Sequence, residues 1–379
     1  EGAGGQLIFP APLQPKVDLQ PDSPFSASNV MLAILPDQIE PSRFWKDLRV
    51  AAEDRWKALA NQVYADIRRE WVAQDRWDAQ LANVVEFYAA WIPLGASNDY
   101  RACRARVMRL LAGRKATRDF PAWLGERGVP KSSLDGARET VFVPLQREQT
   151  LERATALKLS DGEELDAIGL VKRCGGTRRQ YPSVVRIAAD PWLRALTTQE
   201  RASLRSVCAP LPRHGLTQLP KERFPQYQDF PFEGIAVYET RYAEAAELAA
   251  ENKRADLLGQ LRKTLTGLYR DRGQPNPYLA VLLADGDAMG KAIAAIDSPE
   301  KHREFSAALS GFASEASGVV IRHHGTLVYS GGDDVLAFVP VDKALVCARA
   351  LSDSFRDALG PHANPLPTLS VGVAIGHMM

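Results

Sequence analysis

The chain has 379 residues, of which 45% are hydrophobic and 25% are charged, and its formal net charge is +1 at pH 7. This composition is typical of soluble globular proteins with two or three domains, and it excludes a general electrostatic attraction to nucleic acid. No apolar run reaches the ~18 residues of a membrane-spanning helix. The four cysteines are dispersed without a C-x-x-C pair, a pattern typical of a reducing compartment. We therefore expect a cytoplasmic protein without a membrane partner.

The N-terminal region begins with two short apolar segments, residues 6–9 and 30–35, which have the composition of β-strands. A long helical pattern follows over residues 42–83, and residues 84–93 again favour a strand, so the predicted order is ββαβ. The helical pattern contains four tryptophans: Trp45, Trp56, Trp71 and Trp77. Because tryptophans at helical spacing are usually packed in a core, we favour packing over a platform for nucleobases.

The middle region, residues 96–275, is mainly helical in pattern. Residues 98–119 combine apolar positions with a series of basic side chains: Arg101, Arg104, Arg106, Arg109, Arg114, Lys115 and Arg118. Two interpretations of this series remain open, a solvated amphipathic face and a face that contacts RNA phosphates. Arg178 and Arg179 are weaker candidates for RNA contact. Pro275 and Pro277 mark the end of the region.

The C-terminal region, residues 276–379, carries the main candidate site. An apolar strand over residues 278–283 leads into Asp285 and Asp287, and a helical pattern covers residues 299–323. Two β-rich runs then flank Gly331-Gly332-Asp333-Asp334, which predicts a hairpin with carboxylates at its tip. A helix over 342–359 and a strand over 368–375 complete the order βαββαβ, the ferredoxin-like unit.

In this topology the first strand lies beside the hairpin, so Asp285 faces Asp333 and Asp334. Adjacent carboxylates repel each other unless a cation lies between them, and we predict a site for Mg²⁺ or Mn²⁺ rather than a plain hairpin turn. Two metals in such a site can activate a 3′-hydroxyl and stabilise leaving pyrophosphate, as in polymerase and nucleotide-cyclase palms. Asp287 joins the same side only if the strand continues past Gly286.

The predicted fold class is α+β, with two ferredoxin-like palm domains separated by a mainly helical domain. Residues 1–95 form the first palm, which is incomplete and, lacking a carboxylate hairpin, non-catalytic. Residues 96–275 form the helical domain and residues 276–379 the second palm.

These motifs resemble the large, polymerase-like palm-domain subunit of type III CRISPR–Cas effector complexes, in the Cmr (III-B) branch. The resemblance is carried by residues 284–290 (ADGDAMG) and 329–334 (YSGGDD). Further similar stretches are residues 6–13 (QLIFPAPL), 131–136 (KSSLDG) and 186–193 (RIAADPWL). The resemblance covers nearly the whole chain, and the combination of motifs is specific.

The resemblance implies a palm that binds ATP with divalent metals and joins AMP units into cyclic oligoadenylate in antiviral defence. It implies, as partners, guide (CRISPR) RNA, target RNA and other Cmr-type subunits. Asp333 and Asp334 match the family's metal-binding pair and Asp285 its partner on the first strand, so these three are the candidate catalytic residues and metal ligands. The resemblance places Ser330, Gly331, Gly332 and Gly286 near the nucleotide phosphates.

The chain departs from the family pattern in three respects. Residues 132–136 (SSLDG) stand where many members have C-x-x-C-G, which argues against zinc. The family's His-Asp nuclease motif does not occur, so DNA cleavage is not assigned to this chain. The opening of the first palm and a helical C-terminal domain are missing, and we expect the chain to be a piece of a longer polypeptide.

Two alternatives remain. A catalytically silent scaffold would use its palms only to hold RNA and partner subunits, although an unused carboxylate cluster is a liability for stability. A stand-alone diguanylate or adenylate cyclase would not need the arginine-bearing middle region.

Overall fold

The computed structural model describes residues 4–20, 23, 25, 29–82, 84–95, 99–117, 123–157, 159–160, 162–175, 181–211, 218–241 and 255–379. They fall into two compact units. The first contains Gly5–Ile34 and Gln180–Met379, and the second contains Leu35–Arg179. No helix in the described part of the chain is both long enough and apolar enough to cross a membrane.

The strands, in chain order, are β1 (Gln6–Phe9), β2 (Leu32–Ile34), β3 (Tyr278–Asp287), β4 (Thr326–Gly331), β5 (Asp334–Pro340) and β6 (Thr368–His377). The α-helices are α1 (Pro15–Asp18), α2 (Pro41–Asp66), α3 (Gln74–Leu81), α4 (Tyr100–Ala116), α5 (Arg147–Leu157), α6 (Ala167–Cys174), α7 (Val184–Ala195), α8 (Thr198–Cys208), α9 (Ala255–Arg272), α10 (Met289–Ala295), α11 (Pro299–Arg322) and α12 (Ala344–Leu359).

The C-terminal part of the first unit is the predicted βαββαβ domain. Its four strands form one antiparallel sheet in the order β4-β5-β3-β6, which is the ferredoxin-like arrangement and places β3 beside the hairpin strand β5. Helices α11 and α12 cover one face of the sheet, where Phe312 and Phe355 meet edge to face at 5.0 Å between ring centroids. The carboxylate-bearing strand ends are therefore fixed by a continuous apolar core.

A helical subdomain completes the core of the first unit. Helices α7, α8 and α9 pack together and against Leu279 of the sheet. Arg186 on α7 is buried with Asp190, 3.1 Å away, and lies 4.2 Å from the ring centroid of Tyr227. Both charged residues belong to one of the stretches that carry the family resemblance, and the structure gives them a packing role.

The second unit has its own core, built on α2, α3 and α6. Trp71 and Trp77 are buried in this core and Trp56 packs against it, which confirms packing for these three tryptophans. Trp45 is half-buried and lies in a surface groove together with part of Trp56. The basic helix predicted over residues 98–119 is present as α4, whereas Arg118, Arg178 and Arg179 lie outside the described residues.

The predicted strand over residues 84–93 is wrong, because the described residues of that segment form no strand. Strand-forming side chains need a neighbouring strand to accept their backbone hydrogen bonds, but every strand of the described residues lies in the first unit, whereas residues 84–93 belong to the second. The β1–β2 pair clusters with the first unit, where Ala11 donates its backbone N–H to Ser306 Oγ on α11 at 2.8 Å. A complete sheet for a first palm over residues 1–95 is therefore not confirmed, and the compact units divide the chain elsewhere than at the predicted boundaries.

Candidate active site

The candidate site lies where the end of β3 passes the tip of the β4–β5 hairpin. Ala284 pairs with Val335 on the neighbouring antiparallel strand. The next residues, Asp285 and Asp334, therefore lie opposite each other. Gly331 pairs with Asp334 and Gly332 has a φ of +68°, the left-handed conformation that a tight tip requires of glycine. The predicted meeting of Asp285 with the Asp333–Asp334 pair is thus present.

The three carboxyl groups influence one another. Burial raises the pKa of Asp333, the negative charges of Asp334 and Asp285 raise it further, and backbone hydrogen bonds, including one from Gly286, oppose the shift. Burial likewise raises the pKa of Asp334, and the charge of the neighbouring Asp285 carboxylate raises it further. These directions are those of acidic groups that lack a compensating cation.

Gly286 lets Asp333 approach the backbone of β3. A Cβ at position 286 would lie 2.6 Å from Asp333 Oδ2 and 2.7 Å from Asp333 Cβ, distances that no real side chain tolerates. The glycine is therefore needed for the position of the Asp333 carboxylate. Gly331 and Gly332 have a different part, because they keep the hairpin tip narrow.

Ser330 differs from the other predicted nucleotide contacts. It pairs with Val335, whose side chain is fully buried beneath the helices, so the Ser330 hydroxyl lies on the helix-covered side and not beside Asp334. Its Oγ is shielded from solvent and has no hydrogen-bond partner. The structure does not bring this side chain together with the Asp285–Asp334 pair.

Asp287 has partners that the sequence did not reveal. The strand continues through Gly286, so alternation places Asp287 on the side of Asp285. Thr368 Oγ1 and Ser370 Oγ donate hydrogen bonds to Asp287 Oδ2 at 3.0 and 2.5 Å. The signal that could have found them is the alternation of two hydroxyl side chains along the last strand.

The donor set fits a hard divalent cation in its chemistry, because carboxylate oxygens are the ligands that Mg²⁺ and Mn²⁺ prefer. Its geometry is less complete. Within the described ranges, no group of three or more His, Cys, Asp or Glu side chains is arranged to hold a metal ion. Asp285 and Asp334 form a pair, while Asp333 lies against Gly286. The assignment of all three as ligands stays a prediction.

Comparison with known proteins identifies this domain. Residues 278–379 match the family described as Cas10/Cmr2, second palm domain. The C-terminal domain is therefore similar to the second palm domain of Cas10/Cmr2 proteins. The match covers β3 to β6 and therefore every residue of the candidate site.

One curated protein and two solved structures are also similar to this chain. The protein named "CRISPR system Cmr subunit Cmr2" from Pyrococcus furiosus is 33% identical over an alignment of 140 residues, which covers 30% of this chain and 16% of that protein. Two structures of the type III-B Cmr-beta complex, one in the apo state and one bound to cognate target RNA, each contain a chain that matches 94% of this one with TM-scores of 0.55 and 0.57.

At 14% identity these structural matches establish the fold alone. Together with the palm and the Pyrococcus relative, they confirm the predicted resemblance to the Cmr2/Cas10 subunit of type III-B complexes. The chain covers 54% and 55% of the two structural relatives.

Proposed function

We propose that the chain is the palm-bearing part of a large subunit in an RNA-guided antiviral effector complex, and that its Cas10/Cmr2 palm converts ATP to cyclic oligoadenylate when target RNA is bound. The observation that carries this proposal is the convergence of Asp285, Asp333 and Asp334 where the end of β3 passes the tip of the β4–β5 hairpin. The partners that the proposal requires are guide RNA, target RNA and other Cmr-type subunits.

Each residue of the site has a proposed part in this reaction. Asp285, Asp333 and Asp334 would hold Mg²⁺ or Mn²⁺, which when bound would activate a ribose hydroxyl and stabilise the phosphate charge of the transition state. Gly331 and Gly332 would leave the hairpin backbone open to a nucleotide, and Gly286 admits the Asp333 carboxylate beside β3. Ser330 would contribute through its backbone, since its hydroxyl lies on the helix-covered side.

A catalytically silent scaffold is the second candidate, and one observation favours it. Within the described ranges, no group of three or more His, Cys, Asp or Glu side chains is arranged to hold a metal ion. A palm that binds no metal would hold partners without turning over ATP.

The two candidates differ in their response to divalent metal. If the palm is a nucleotidyltransferase, Mn²⁺ titrated into the purified chain should bind at the palm and increase the relaxation rate of the solvent protons. Asp285→Asn should remove most of that binding. Mn²⁺ binding that is unchanged in Asp285→Asn would favour the scaffold. A chain that forms product from ATP alone, without RNA-loaded partners, would instead indicate a stand-alone cyclase.

A further inference from the structure

The second unit carries an aromatic groove that the proposed function does not use. It has a volume of about 370 Å³, and its aromatic lining comes from Trp45 and Trp56 on α2 and from Phe87 and Tyr88 in the segment that follows α3. This volume lies within the range of pockets that bind small molecules, and it is large enough for one nucleotide. The segment that fails to form the predicted strand thus supplies half of the aromatic lining.

Cations lie directly on the aromatic rings. The guanidinium carbon of Arg49 is 5.9 Å from the Trp45 ring centroid, and that of Arg114 is 5.6 Å from the Tyr88 ring centroid. Arg49 also forms an ion pair at 2.7 Å with Glu53, which lies on α2 as well. Of the two arginines, Arg114 is therefore the one whose charge is not paired with an acidic residue of α2. Glu86 is the other acidic residue of the lining.

Arg114 connects the groove to a longer basic surface. It lies in the last turn of α4, a helix that contains six Arg and Lys residues and no Asp or Glu. The exposed members of this series are Arg101, Arg106, Arg109, Arg114 and Lys115. An aromatic pocket that opens beside a series of cations is the arrangement by which proteins stack an unpaired base and follow its backbone.

We propose that this groove binds one unpaired nucleotide of a single-stranded RNA, with the base against the Trp45 and Tyr88 rings and the flanking phosphates along α4. The proposal rests on the proposed function in one respect, since that function supplies the RNA. In this proposal the basic residues of α4 form a face that contacts phosphates, which is one of the two interpretations that the sequence leaves open.

The test is fluorescence anisotropy of a labelled single-stranded RNA oligonucleotide with the full chain, over a range of salt concentrations. Trp45→Leu removes the stacking surface and should raise Kd about 10-fold. Arg114→Gln should raise Kd a few-fold and reduce the slope of log K against log salt by about one. Arg349→Gln, on an exposed side chain of the first unit, is the matched control and should bind as the unmodified chain does.

Two further comparisons distinguish the possible outcomes. If Trp45→Leu does not fold, Trp45→Phe and the exposed Arg114→Gln carry the test. If both tryptophan variants fold, Trp45→Phe should lose less affinity for the RNA than Trp45→Leu. Kd values for Trp45→Phe and Arg114→Gln equal to that of Arg349→Gln, or equal competition by duplex RNA, would overturn the proposal. Asp333→Ala combined with Asp334→Ala should bind RNA normally, so a failure of nucleotidyl transfer remains distinct from a failure of the groove.

Discussion

Asp285 and Asp334 lie opposite each other on adjacent antiparallel strands, where burial and the charge of Asp285 raise the pKa of Asp334. Asp333, the next residue along the hairpin, lies instead against the backbone of Gly286 on β3. The acidic site is therefore a carboxyl pair with a third carboxylate held beside it by a glycine. Both parts of this arrangement can be tested separately.

The raised pKa values of Asp333 and Asp334 make the stability of the folded protein depend on pH. The pKa values of Asp333 and Asp334 are raised above 3.8, so the folded state binds these protons more tightly than the unfolded state does. Their favourable contribution is present below pH 3.8 and is lost as the pH rises through the folded-state pKa values. Asp334→Asn should therefore raise Tm at neutral pH by about 2 °C and should give no gain below the ordinary pKa.

Thermal unfolding of both chains at several pH values, without divalent metal, measures this difference. Added Mg²⁺ should raise the Tm of the unmodified chain at neutral pH and have a smaller effect on Asp334→Asn. A Tm gain for Asp334→Asn that is the same at all pH values would contradict the assignment.

Gly286 should be intolerant of a side chain. Gly286→Ala places a Cβ within 2.7 Å of the Asp333 side chain and of Met289, so we expect a loss of about 1–3 kcal/mol of unfolding free energy and a loss of nucleotide transfer. Gly290→Ala is the matched control, because nothing lies within 4 Å of a Cβ there and the residue is helical. Denaturant titration compares the two, and equal midpoints would show that the close approach is not required.

Asp287 and Asp285 should differ in importance although they lie on the same side of β3. Asp287→Asn keeps an oxygen that can accept from Thr368 and Ser370, so we expect a decrease in rate of less than about 10-fold. Asp285→Asn removes a proposed metal ligand and should lower the rate by more than about 100-fold. Initial rates of product formation from ATP by the assembled complex check both values, and a larger effect at Asp287 would exchange their roles.

The buried ion pair on α7 should contribute strongly to the first unit. Asp190→Ala leaves the buried Arg186 guanidinium uncompensated and should lower the free energy of unfolding by about 3–5 kcal/mol. Asp342→Ala removes an acid that pairs with Arg194 at the surface and should cost less than about 1 kcal/mol. Urea unfolding distinguishes them, and similar midpoints would mean that the buried pair is dispensable.

The sequence was sufficient for the second palm because its signals agree at every level. The apolar run of residues 278–283 and the glycine pair at 331–332 each predict one structure, and the sheet order then brings Asp285 to the hairpin. Residues 84–93 have strand composition but no strand to pair with among the described residues of their own unit, and composition does not record partners.

Two features of the site depend on register, which the sequence does not display. A bulge between Leu327 and Tyr329 shifts the alternation of β4 and places the Ser330 side chain opposite Val335. The hydrogen bonds from Thr368 and Ser370 to Asp287 require the pairing of β3 with β6, two strands that are about 80 residues apart in the chain.

The central claim is that the three aspartates transfer nucleotides, and one measurement tests it directly. The assembled complex is incubated with labelled ATP, Mg²⁺ and matched target RNA, and its products are resolved by mass. We expect the unmodified complex to form cyclic adenylates. These products should disappear when Asp333→Ala is combined with Asp334→Ala, while complex assembly and RNA binding persist. No product from any of the four nucleoside triphosphates, in a complex that still binds target RNA, would contradict the claim and establish the scaffold.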